Sequence, residues 1–118
     1  MRASSLPLQY ARGRTATQEQ LRQFAERQRK TTTAECAYRY FETTRNLDVS
    51  ELLGKVTVPT LVMHKRDDQM QPFDAGRELA AGIPGARFVA LQGHNHFPLE
   101  QDPQTERMLE EIRLFVKR

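Results

Sequence analysis

Between Val58 and Pro98 the chain reads VPTLVMHKRDDQMQPFDAGRELAAGIPGARFVALQGHNHFP, and this stretch constrains the fold more than any other. An apolar run gives way to a polar loop, a helical segment, a second apolar run and a second polar loop. Val56, Val58, Leu61, Val62 and Met63 are nearly continuous, the pattern of a strand buried on both faces in a parallel sheet. Pro59 stands at its entrance, where a missing N–H is tolerated. Pro72 suits the start of a helix that runs to about Ala81, with Leu79 and Ala80 facing inward; Gly82, Pro84 and Gly85 end it. Arg87 to Leu91 is the second strand. A strand, crossover helix and strand of this length make a right-handed βαβ unit. Asp68 closes the first loop region and His96 the second, which puts an acid and a base at the same edge of a parallel sheet.

The flanking segments are helical. Thr17 and Gln20 make a capping box for a first helix, whose apolar stripe (Leu21, Phe24, Ala25) is thin. It ends in Arg27, Gln28, Arg29 and Lys30, where cations oppose the partial negative charge of a helix C-terminus. Thr32 and Glu35 make a second capping box for a helix near 33–45, with Ala34, Ala37, Tyr38 and Phe41 on one face. Asp48 and Glu51 repeat the cap pattern before a short helix, Val49 to Leu53, stopped by Gly54. At the other end Asp102 caps the last helix with Pro103 at its first position. Met108, Leu109, Ile112, Phe115 and Val116 form its apolar face, which is expected to pack on the sheet. Three segments result: a flexible basic arm over 1–16, a helical part over 17–54 and an α/β part over 55–118.

Composition narrows the function classes. The chain has 118 residues, 38% of them hydrophobic, enough for one domain or part of one with a modest core. No apolar stretch is long enough to span a membrane, and the first residues lack the apolar region of a secretory signal. Cys36, the lone cysteine, excludes an internal disulfide and fits a reducing cytoplasm. It reads as a small packed hydrophobe, since nothing near it in sequence would activate its thiol. Residues 1–46 carry a net charge of +5 and residues 47–118 a net of −2. The basic half reads as solvated helix face; it lacks interleaved aromatics and any nucleic-acid motif, so no nucleic-acid partner is expected.

The stretch from Val58 to Pro98 resembles the C-terminal part of the α/β-hydrolase fold. That family follows an apolar strand with His-Gly-x-x-Asp-x-x-Val-Pro, a helix, a strand and Gly-x-Gly-His; here the pieces read VPTLVMHKRDDQMQP and FVALQGHNHFPLEQDP. The family acid precedes its proline by four residues, which selects Asp68 over Asp67. The histidine precedes a short loop and an acidic-then-proline helix start, which selects His96, with Glu100 and Pro103 in the expected places. PFDAGRELAAGIPGARFVALQGHNH is particularly similar to hydrolase domains attached to bacterial regulators of the adenylate-cyclase or helix-turn-helix type. The likeness extends upstream through LDVSELLGKVTVPTLVMH and covers about Leu21 to the end, with the first helices resembling the lid or post-lid segment. It implies a partial α/β-hydrolase fold: two parallel strands in a βαβ unit, a C-terminal amphipathic helix and N-terminal lid-like helices. Lys65 and Asp67 depart from the family's glycine-bearing turn, and His94 replaces a small residue.

The fold's chain order is Ser, then Asp or Glu, then His, with the serine in G-x-S-x-G. No G-x-S-x-G occurs here; the serines are Ser4, Ser5 and Ser50. In a complete triad His96 would take the nucleophile's proton and return it to the leaving group, while Asp68 would hold the imidazole tautomer. The resemblance therefore implies part of a serine-type hydrolase of ester or acyl substrates, inactive alone, with a small-molecule substrate if completed. The alternative is a non-catalytic interaction or regulatory module built on the same fold. An uncovered sheet edge beside Val58 to Met63 makes self-association the expected behaviour. His94 and His96 with Asp67 and Asp68 are a ligand-like set, but their spacing matches no zinc framework. Neither a metal nor a cofactor is expected. His64, ending its strand, reads as a packed or loop-facing histidine.

Overall fold

The computed structural model describes residues 16–117; the basic arm lies outside them apart from Ala16. The contacts divide the chain into two units that meet between Asp48 and Val49.

The first unit holds two helices, α1 (Gln18–Thr31) and α2 (Ala34–Thr44). The box opening α1 forms as the sequence suggests. Thr17 Oγ1 accepts the Gln20 N–H at 3.1 Å, and Gln20 Oε1 accepts the Thr17 N–H at 3.0 Å. The second box does not form. Thr32 is the C-cap of α1, and Thr33 is the N-cap of α2, its hydroxyl accepting the Cys36 N–H at 3.2 Å. Three threonines in a row offer the same chemistry, and the two-residue break between the helices selects the last. Neither helix buries a residue. Cys36 is exposed rather than packed. Tyr38 and Phe41 stand 51% and 44% exposed, so the apolar face of α2 is largely uncovered within this unit.

The second unit is the α/β part. It opens with a 3₁₀ helix (Ser50–Lys55) that includes Gly54 rather than stopping at it. Strand β1 (Leu61–Lys65) is shorter than the apolar run. Pro59 donates no N–H, Thr60 Oγ1 donates to the Val58 carbonyl, and Val58 is 64% exposed. Helix α3 (Phe73–Gly82) leads to strand β2 (Arg87–Leu91) and helix α4 (Pro103–Val116) follows. β1 and β2 pair in parallel, Leu61 opposite Arg87 through Lys65 opposite Leu91.

Close approach, rather than a broad apolar stripe, seats α3. Gly76 is its buried residue, and a Cβ there would fall 2.6 Å from His64 Nδ1. A Cβ on Gly82 would fall 2.6 Å from Leu53 in the 3₁₀ helix. Leu79, read as inward-facing, is 38% exposed because the sheet here has too few strands to lie beneath it. Among the described residues the buried apolar side chains are Val62, Ile83, Val89 and Leu91. The cap of α4 forms as read, Asp102 accepting the Gln104 N–H at 3.0 Å. The helix contacts β1, but Leu109, Ile112 and Val116 remain 38%, 37% and 74% exposed, so only part of its apolar face meets the sheet.

Candidate active site

The two loops at the C-terminal edge of the sheet are stitched together by their backbones. Beyond the last strand pair, Arg66 N–H donates to the Leu91 carbonyl at 2.8 Å, Asp67 N–H to Gly93 at 3.1 Å and Gln69 N–H to His94 at 3.4 Å. The ladder thus continues past both strands into both loops. Gly93 makes this turn with φ of 96°, a conformation that favours glycine.

Asp68 and His96 meet on this frame. His96 Nδ1 lies 2.6 Å from Asp68 Oδ2. The other carboxylate oxygen, Oδ1, accepts the Met70 N–H at 2.8 Å and the Gln71 N–H at 3.0 Å. The Asp68 side chain is only 3% exposed, whereas the His96 side chain is 33% exposed. Burial opposes ionisation of Asp68. The Gln71 N–H, the His96 imidazole and the Met70 N–H together outweigh it and hold the carboxyl below its ordinary value. An anionic acceptor at Nδ1 fixes the ring tautomer and leaves Nε2 for proton exchange.

His64 is packed against the acid loop from behind. Its Nε2–H donates to the Gln71 carbonyl at 3.0 Å, and the same nitrogen stands 3.5 Å from Asp68 Oδ2. The Phe73 ring meets it edge-on at 5.9 Å. His64 therefore bridges the two ends of the turn that carries Asp68. A histidine four residues before the acid was the available signal.

Lys65 and Asp102 form a buried ion pair that sequence reasoning missed, the two residues being 7% and 8% exposed. Leu61, Met63 and Lys65 alternate along one side of β1, and a cation closing an apolar row needs a buried partner; that was the readable signal. Burial opposes ionisation of Asp102, but the Lys65 ammonium and the Gln104 N–H prevail, holding its carboxyl low. A cavity of about 310 Å³ opens beside these groups, bordered by Met63, Lys65, Asp68, His96, Gln104 and Met108. His94 does not join Asp68 and His96 in a metal-ligand set: among the described residues no three His, Cys, Asp or Glu side chains converge to hold an ion. None of the described helices is long and apolar enough to cross a membrane.

Comparison with known proteins bears on the family. A family model described as TAP-like protein, within the α/β-hydrolases, matches residues 22–110. A 2-hydroxy-6-oxononadienedioate/2-hydroxy-6-oxononatrienedioate hydrolase of Cupriavidus pinatubonensis is 50% identical over 50 residues, 42% of this chain and 17% of that protein. A non-heme chloroperoxidase of Kitasatospora aureofaciens is 46% identical over 50 residues, 42% of this chain and 18% of its own. Among solved structures, a thermophilic esterase from Thermogutta terrifontis aligns with a TM-score of 0.52 at 30% identity, over 59% of this chain and 25% of the esterase. The matched region thus amounts to about a fifth of the curated relatives' length.

Proposed function

Because the chain belongs to the TAP-like family of α/β-hydrolases, we propose that its second unit supplies the acid and the general base of a serine-type hydrolase of ester or other acyl substrates. The observation that carries this reading is the 2.6 Å contact between His96 Nδ1 and the buried carboxylate of Asp68. In the reaction, His96 Nε2 takes the proton of an attacking serine hydroxyl as the oxygen bonds to the substrate carbonyl. It then returns that proton to the leaving group as the tetrahedral intermediate collapses. Asp68 keeps the imidazole in the Nδ1–H form and stabilises the imidazolium formed between those steps. No G-x-S-x-G stands in these 118 residues, so in this reading the nucleophile and its oxyanion hole are supplied by other polypeptide. The chain by itself is then inactive, and it works in the cytoplasm without metal or cofactor.

A chimera tests this. The matched quarter of the Thermogutta esterase is replaced by the corresponding part of this chain, and hydrolysis of p-nitrophenyl acetate is followed. The chimera is expected to turn over, with Asp68→Asn reducing kcat about ten-thousand-fold through the wrong tautomer, and His96→Ala at least as much. A folded chimera that is inactive, or whose activity ignores both substitutions, overturns the proposal. The fold would then serve a non-catalytic role, as in a module attached to a bacterial regulator.

A further inference from the structure

The backbone rungs between the two loops run as far as His94, two residues short of the histidine that matters. The far side of that loop is anchored separately, at the start of α4. There Thr105 Oγ1 donates to the Leu99 carbonyl at 2.5 Å, while Gln104 Oε1 accepts the N–H of Gln92, the loop's first residue, at 2.9 Å. Asp102 occupies both carboxylate oxygens: Oδ1 takes the Gln104 N–H at 3.0 Å, and Oδ2 takes the Lys65 ammonium. Lys65 is the last residue of β1, three before Asp68, and its carbonyl accepts the Asp68 N–H at 3.3 Å. One residue thus holds the acid's turn by its backbone and the end of the histidine loop by its side chain.

We propose that the buried Lys65–Asp102 pair is a clamp that positions His96, drawing the return of the histidine loop onto the strand that carries Asp68. Lys65 and Asp102 are positioning residues in this scheme. They set the geometry in which Nδ1 meets the acid. The pair spans 37 residues of sequence, so it closes the loop that carries His96 at its far end. A buried ion pair contributes little net stability against an apolar substitute of similar volume. Its use here is to fix register between two loops. The inference rests on Asp68 and His96 acting together, and its test separates the two ideas.

The experiment is long-range ¹H–¹⁵N NMR of the histidine rings in the intact chain. In the wild type, His96 is expected in the Nδ1–H form with a slowly exchanging Nδ1 proton. Absence of that signal from a folded wild-type chain would overturn the pairing of Asp68 with His96 and the clamp with it. Asp102→Asn keeps an N-capping side chain but removes the charge. It is expected to retain a dispersed backbone spectrum while the His96 Nδ1 proton exchanges at least about tenfold faster, as local opening increases. The Lys65→Met/Asp102→Asn double variant leaves no orphan charge, so it reports even if the single variant fails to fold. Loss of the His96 signature in that folded double variant supports the clamp. A lowered Tm with the wild-type His96 signature intact would reduce the pair to a structural contact and overturn the clamp alone.

Discussion

Asp68 accepts hydrogen bonds on both oxygens from groups on two different loops, and its low pKa follows from that arrangement rather than from exposure. The same residue makes stability depend on pH in a definite direction. An unfolded aspartate titrates near about 3.9. Asp68 and Asp102 are both held lower in the fold, so the unfolded chain binds more protons between the two values. Their contribution is complete above the unfolded pKa and is lost as pH falls through the folded ones. Urea midpoints are expected to hold steady from neutrality down to the ordinary carboxylate range and to fall below it, with a shallower fall in Asp68→Asn. A midpoint that rises on acidification would contradict this assignment.

At the scale of elements, α3 is seated by what Gly76 lacks. Gly76→Ala drives a methyl into the ring of His64, which is itself bonded to the Gln71 carbonyl. The cost is expected at about 1–3 kcal/mol, as for overpacking elsewhere, read as a lowered urea midpoint. His64 moves with it, so ring-proton shifts of both His64 and His96 should change in the same variant; unchanged shifts would show that the helix yields instead. The elements themselves were largely legible in the sequence. An apolar run, flanking Gly and Pro, and the Asp102–Pro103 cap located β2, α3 and the start of α4 because those signals are local. The failures were of two kinds. Thr32 against Thr33 and the reach of the helix past Gly54 were choices between equivalent local chemistries. The inward face assigned to Leu79 assumed a wide sheet beneath the helix, and two strands do not provide one.

At the scale of the molecule, the second unit is an incomplete layer. Its described residues bury four apolar side chains, while Val58, Leu52 and much of the α4 face stay in contact with solvent. That imbalance favours association through the sheet edge. Sedimentation velocity on serial dilution is expected to show oligomers dissociating to monomer without loss of far-ultraviolet circular dichroism, and Val58→Lys should shift the balance toward monomer. Monomer at every concentration would remove the claim. The site was legible only in part for a related reason. Asp68 and His96 were marked by their resemblance to the family's motif, which a pattern of residues records. The Lys65–Asp102 pair and the bridge made by His64 depend on which side chains meet across the fold, and no local pattern carries that information. The backbone rungs joining residues 66–69 to 91–94 have one more consequence, in heredity rather than in chemistry. A genetic crossover at any codon before that of Val49 carries Asp68 and His96 together, already in register. Asp68 and His96 are therefore inherited as one unit, whatever sequence is joined to them.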